Sequence, residues 1–185
     1  SIITYVIFNE SWGIPEINTN EECQAFVNKI GAEVKKYDST RLVILNDGWF
    51  QLTGTDILSL HEYEQNPTAL ANEYIDQENV LKDKIINHYG KAFASGNKYQ
   101  GQPIILSEFG GASLKTSDGW GYGEKMSDYK KQLENIFAAV RKLDYLSSYC
   151  YTQLTDVEQE TNGLFYADRQ AKLPLEEMRK IILGE

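Results

Sequence analysis

The chain has 185 residues, 42% of them hydrophobic and 24% charged, a globular balance that excludes a disordered tail or a disulfide-stapled miniprotein and suggests one domain. With 18 Lys and Arg against 27 Asp and Glu, the formal charge is −9, the wrong sign for neutralising phosphates, so nucleic acid and anionic membranes are not expected partners. No apolar run approaches the roughly 20 residues that a membrane-spanning helix needs. Residues 2–9 form an apolar run without alternation, as suits a parallel strand covered on both faces. The sequence enters this run directly from Ser1, without an initiator Met or a signal-type segment, and so reads as a domain that has been cut. Between Glu21 and Tyr37, the apolar positions Cys23, Phe26, Val27, Ile30 and Val34 have helical spacing. Further strands are expected at 41–45, 56–60, 103–106 and 145–151. One or two helices are expected within 67–94, one over 126–143 through Tyr129, Leu133, Ile136, Phe137 and Val140, and a last one opened by Pro174. Cys23 and Cys150 fall in a helix and a strand, where buried free thiols are the commoner outcome.

Strands alternating with helices argue for a parallel α/β sheet in a single unit, residues 1–185. One connection is awkward. The ten residues 46–55 are short for a parallel crossover, which takes a dozen or more, so either the link is a tight loop without a helix or one strand is misassigned.

The chemically informative residues collect after the strands. Asn9-Glu10-Ser11-Trp12 follows the first, Asn46-Asp47-Gly48-Trp49 the second and His61-Glu62-Tyr63 the third. Ser107-Glu108-Phe109-Gly110-Gly111 follows the fourth, and Thr152-Gln153-Leu154-Thr155-Asp156 the fifth. The C-terminal ends of parallel strands carry active sites, because loops vary there while the packed sheet holds their roots. Trp12, Trp49 and Trp120 all lie in or near these loops, and aromatic faces stack well on sugars. Glu10 and Glu108 each follow an apolar strand, where a carboxylate is costly unless it is paired or used. Together they suggest the acid and the nucleophile of a glycosidase, retaining at a separation of roughly 5 to 5.5 Å and inverting at roughly 6.5 to 9.5 Å.

The run Ile2-Ile3-Thr4-Tyr5-Val6-Ile7-Phe8-Asn9-Glu10-Ser11-Trp12-Gly13 closely resembles the acid/base strand of glycoside hydrolase family 2, the β-galactosidase and β-glucuronidase group. Ile104-Ile105-Leu106-Ser107-Glu108-Phe109-Gly110-Gly111 resembles its nucleophile strand. Tyr151-Thr152-Gln153-Leu154-Thr155-Asp156-Val157-Glu158, continuing to Asn162-Gly163-Leu164, resembles its last barrel strand and loop. The resemblance implies a partial (β/α)8 TIM barrel, strands four to eight with their helices. It also implies a C-terminal portion of a larger enzyme whose missing N-terminal part is a partner, since a whole barrel takes about 250 residues. By the same resemblance, a short link between the fifth and sixth strands is ordinary.

Carried over, the family mechanism makes Glu108 the nucleophile and Glu10 first acid, then base, in a double displacement on a terminal β-galactoside or β-glucuronide-like carbohydrate. Glu10 is then expected to stay protonated in the free enzyme, favoured by anionic Glu108 and partial burial. Asn9 resembles the residue that bonds the sugar 2-hydroxyl, and Tyr63 the tyrosine that orients the nucleophile. Trp12, Asp47, Trp49, His61, Trp120 and Tyr151 complete the candidate sugar-binding set. Structural readings stand beside these: His61 as a satisfied strand-end group, Trp49 and Trp120 as packing under loops, Asp47 as a cap of its own turn. Asp156, Glu158 and Glu160 read as a solvated acidic run. With only His61 and His88 and two distant cysteines, no metal or cofactor is called for. The competing function is a non-catalytic carbohydrate-binding or scaffold module. Open strand edges suggest a homo-oligomer, and family habit suggests a bacterial periplasmic or extracellular setting.

Overall fold

The structure, a computed structural model, describes residues 2–82, 84–122 and 127–185. In chain order the elements are β1 (Thr4–Asn9), α1 (Glu21–Tyr37), β2 (Leu42–Asp47), β3 (Leu58–Glu62), α2 (Pro67–Tyr74), α3 (Gln77–Lys82), β4 (Ile104–Gly110), α4 (Tyr129–Val140), β5 (Leu146–Thr152) and α5 (Leu175–Leu183). The strands form two small sheets, β1-β2 and β3-β4-β5. β1 and β2 are parallel, in register from Thr4 opposite Leu42 to Asn9 opposite Asp47. This mixed α/β arrangement is consistent with part of a barrel. The chain divides into two compact units: Ser1–His61, Asp76–Ser107 and Tyr145–Ser148 in the first, and Glu62–Ile75, Glu108–Asp144 and Tyr149–Glu185 in the second.

In the first unit, α1 starts where Asn20 accepts from the Glu22 and Cys23 N–H groups. Its acidic residues lie in the first turn and Lys35 and Lys36 in the last, as the helix dipole favours. The helix lays Val27 and Gly31 against β2, so closely that a Cβ on Gly31 would come 2.3 Å from Leu45 Cδ2. Ile14, Ile17, Val27, Val43, Leu45, Leu52 and Ala94 form the core there.

No helix lies between β2 and β3, so the short link is a tight loop. Its residues also explain why the sheet breaks. The Val43 N–H donates to Asp56 Oδ2 at 2.8 Å and the Leu45 N–H to Thr55 Oγ1 at 3.3 Å, so loop side chains take the donors a neighbouring strand would otherwise use. Asp56, expected to open β3, instead caps β2 and pairs with Lys35.

Several expectations are corrected. The helical reading of 67–94 ends at Lys82, because Asn87 and His88 have φ of 46° and 65°, which no α-helix accommodates. The chain there turns on itself through an Ile86–Gly90 bridge, and Gly90 lies against the Phe50 ring. β1 is not covered on both faces, since Val6 is 47% exposed. β2, β3 and β4 run past their expected ends to Asp47, Glu62 and Gly110, carrying polar residues that composition assigned to loops.

In the second unit, α4 and α5 bury Leu133, Ile136, Phe137, Val140, Met178 and Ile181. Phe109 meets Phe137 edge-on at 5.3 Å. The expected start of α4 at Met126 lies outside the described residues; Asp128 caps the helix by accepting from the Lys131 N–H. Pro174 is the residue before α5, and Gly184 closes that helix at φ 76°. Of the expected solvated acidic run, Glu158 is exposed, but Asp156 and Glu160 are bonded. Asp156 is paired at 2.6 Å with Lys172, whose side chain is fully buried, and Glu160 accepts from Gln153 at 2.9 Å. Cys150 is exposed rather than buried, since the alternation of β5 turns it away from its better-buried neighbours Tyr149 and Tyr151.

Candidate active site

In the first unit the β1 ladder extends one residue beyond the strand, with the Glu10 N–H donating to the Asp47 carbonyl at 2.9 Å. The chain then turns through Glu10 and Ser11 at φ 53° and 62°, a left-handed conformation that non-glycine residues keep only when their surroundings hold it. Asn46, fully buried at the end of β2, supplies that hold. Its Oδ1 accepts from the Ser11 N–H at 3.3 Å, and its Nδ2 donates to Ser11 Oγ at 2.8 Å and to the Trp49 carbonyl at 2.6 Å.

The turn presents the Glu10 carboxyl to two donors. His61 Nδ1 lies 2.8 Å from Oε1, and Trp12 Nε1 donates to Oε2 at 2.9 Å. Burial pushes Glu10 up, but the hydrogen bonds from His61 and Trp12 outweigh it, and the carboxyl lies below its ordinary value. This runs against the expected protonated resting state: the donors around Glu10 favour the carboxylate.

His61 and Asp47 are better explained together than as sugar contacts. His61 is fully buried, with Nε2 3.2 Å from Asp47 Oδ1. Asp47 also accepts from Ser107 Oγ at 2.5 Å and from Ser59, which itself accepts from Gln51 Nε2 at 3.0 Å. Burial raises Asp47, and hydrogen bonds from His61 and the two serines bring it below its ordinary value. Trp49 is also interior, 2% exposed, with Tyr89 stacked on it at 4.7 Å and Trp12 edge-on at 6.2 Å. Trp12 is 64% exposed and Asn9 is exposed, so these two present surface at the end of β1.

In the second unit, Glu108 on β4 accepts a 2.5 Å hydrogen bond from the Tyr63 hydroxyl. Burial, then the Glu108 charge, pushes the Tyr63 hydroxyl far above its ordinary value, so it remains a donor at any physiological pH. Tyr63 stacks at 3.8 Å on Tyr122, and Trp120, 48% exposed, meets Tyr122 edge-on at 5.6 Å. The Tyr151 hydroxyl accepts from the Ala112 N–H at 3.2 Å and donates to the Asn162 carbonyl at 3.3 Å, which anchors the loop after β4. Gly110 lies at φ 97°, where a Cβ would come 2.2 Å from the Tyr151 ring.

The first unit thus gathers Asn9, Glu10, Trp12, Asp47, Trp49 and His61, and the second gathers Tyr63, Glu108, Trp120 and Tyr151. Sequence reasoning gave no individual role to Asn46, Ser59, Gln51, Ser107, Tyr89 or Tyr122. The signal that could have found Asn46 and Ser107 is a polar residue inside an otherwise apolar strand; Tyr89 and Tyr122 carry no local signal.

No protein-family model matches the sequence, and no curated protein matches it. Its fold is that of a segment of glycoside hydrolase family 2 enzymes, the family its motifs resemble. It matches a family 2 β-galacturonidase from Eisenbergiella tayi bound to galacturonate at TM-score 0.68 and 15% identity, over 100% of this chain and 34% of that one. A Bifidobacterium dentium β-glucuronidase complexed with coumarin-3-O-glucuronide matches at 0.64 and 18%, over 99% and 31%. A Dictyoglomus thermophilum β-D-glucuronidase matches at 0.62 and 15%, over 97% and 32%. The chain spans about a third of the length of each.

Proposed function

We propose that this chain is the C-terminal portion, strands four to eight, of the catalytic barrel of a retaining β-glycosidase of glycoside hydrolase family 2, acting on a terminal β-galactoside or β-glucuronide-like sugar. The observation that carries the reading is that both strand-end glutamates are held by dedicated donors, Tyr63 on Glu108 and His61 with Trp12 on Glu10. Two carboxylates so provided for are what double displacement needs. Glu108 attacks the anomeric carbon, forming a glycosyl ester as the leaving oxygen takes a proton from Glu10. Glu10 then removes a proton from water, which attacks the same carbon and releases Glu108. The Tyr63 hydroxyl orients the attacking carboxylate.

The lowered resting state of Glu10 fits this cycle once substrate is considered. The Trp12 N–H is one of the groups favouring the carboxylate, and a leaving-group oxygen that displaces it raises the affinity of Glu10 for a proton where the acid is required. Asn9 and the exposed ring of Trp12 supply sugar contacts at the end of β1, and Trp120 and Tyr122 an aromatic platform in the second unit. The neighbouring enzymes named for uronic acid substrates favour a uronide over a neutral sugar.

Incubating the full-length protein with 2-deoxy-2-fluoro-β-glucuronyl or β-galactosyl fluoride and mapping peptide masses tests the assignment. A fluorosugar adduct on the peptide containing Glu108 is expected. An adduct on another carboxylate, or sugar binding without any adduct, overturns it, the latter in favour of a non-catalytic carbohydrate-binding module.

A further inference from the structure

His61 cannot serve as a surface sugar contact, because it is fully buried, yet it is among the most completely framed side chains of the first unit. Its Nδ1 faces Glu10 Oε1 at 2.8 Å from the end of β1, and its Nε2 faces Asp47 Oδ1 at 3.2 Å from the end of β2. Gly48, at φ 105°, leaves room for the ring, since a Cβ there would come 3.1 Å from Nδ1. Trp49 closes another side edge-on at 6.1 Å. Behind Asp47, the Ser107 and Ser59 hydroxyls and the Gln51 amide continue the polar chain through the interior. A bare Nε2 lone pair 3.2 Å from a carboxylate oxygen is repulsive, so a ring that faces a carboxylate with each nitrogen is favoured in its protonated form.

We propose that His61 is a positioning residue for Glu10, held as an imidazolium that donates from Nδ1 to Glu10 and lies at ion-pair distance from Asp47, so that Oε1 is anchored inward and Oε2 alone exchanges protons. The two carboxyl oxygens are thereby made unequal. Oε1 keeps the same buried donor whether Glu10 is acid or base, while Oε2 faces Trp12, which is 64% exposed and displaceable. Asp47 balances the imidazolium charge, and the serines fix Asp47 so that the ring cannot turn to offer a bare nitrogen. The positive ring beside Oε1 also makes Glu10 the stronger acid towards a leaving group. This deepens the proposed mechanism and rests on Glu10 being its acid/base.

Two measurements test it. In 15N-histidine-labelled protein at neutral pH, the resonance that disappears in H61N is expected to report two protonated ring nitrogens, and in D47N to revert to a neutral tautomer. In turnover, His61→Leu is expected to lower kcat/KM, which reports the glycosylation step, about 100-fold on alkyl or sugar aglycones, which need acid assistance, but by less than about threefold on dinitrophenyl glycosides, which do not. His61→Asn, which keeps one donor for Oε1, is expected to recover most of the loss while circular dichroism verifies the fold of both variants. A bare nitrogen on either side of the ring, or equal losses on both classes of aglycone, overturns the proposal while leaving Glu10 as the acid/base. A doubly protonated ring in a protein that turns over no glycoside overturns the acid/base reading and, with it, the assignment of a working oxygen.

Discussion

Glu10 and Asp47 show how a buried carboxyl is kept charged. Burial acts to raise each, and donors from His61, Trp12 and the serines bring each below its ordinary value, 4.5 for Glu10 and 3.8 for Asp47. A carboxyl whose folded value lies below its unfolded one adds stability at every pH above the unfolded value, and loses it as pH falls through the folded value. The stability difference between wild type and D47N, measured by urea denaturation, is therefore expected to hold from pH 7 to about 5 and to shrink below about pH 4. A difference that stays constant down to pH 3 contradicts the pairing. Lys172 presents the complementary case. Its buried ammonium reaches Asp156 at 2.6 Å and donates to the Thr161 carbonyl at 2.8 Å, with the Tyr166 ring 5.4 Å away. Lys172→Ala leaves Asp156 desolvated and unpaired by that lysine, and is expected to cost about 3 kcal/mol in urea denaturation. A loss under about 1 kcal/mol would mean that water compensates the carboxylate.

Strand ends are where elements and chemistry meet. β2, β3 and β4 each run further than apolar content indicates, because backbone pairing continues while side chains change from packing to polar networks: Asn46 and Asp47 on β2, His61 on β3, Ser107 and Glu108 on β4. Periodicity was sufficient for α1, whose bounds fall at the expected residues, since one buried stripe and a capping Asn are local features. It failed after Lys82, where the decisive facts are left-handed residues and a ring lying under Gly90. β4 ends at Gly110, where both the φ of 97° and the Tyr151 ring forbid a side chain. Gly110→Ala is expected to cost about 3 kcal/mol, combining backbone strain with displacement of the ring, and to disturb the loop that follows Glu108. Thermal and urea denaturation of the variant check this; a neutral effect would mean that Tyr151 swings clear.

For the molecule as a whole, coverage of about a third of its matched structures sets the expectation. Among the described residues β1 has a strand partner on one side only, β2, and Ile2, Ile3 and Val6 are 60%, 78% and 47% exposed. Exposed apolar residues on a strand edge invite pairing with another copy. The 185-residue chain by itself is expected to elute from size exclusion as a dimer or larger species and to turn over aryl glycosides poorly. A monomer with strong turnover would overturn this.

The sequence by itself determined the succession of strands and helices, the absence of a helix as one of two readings of the link before β3, and the two strand-end glutamates as the candidates for the proposed chemistry. These follow from spacing, composition and strand-end position, all local properties of the chain. Tertiary structure decided which donors meet the Glu10 carboxyl, the burial of Trp49, the enclosure of His61 and Asp47 side by side in the interior, and the break between sheets at Thr55 and Asp56. Each depends on which groups desolvate or hydrogen-bond one another across the fold, as His61 and Glu10 do from 51 residues apart, and no local pattern encodes such a partner.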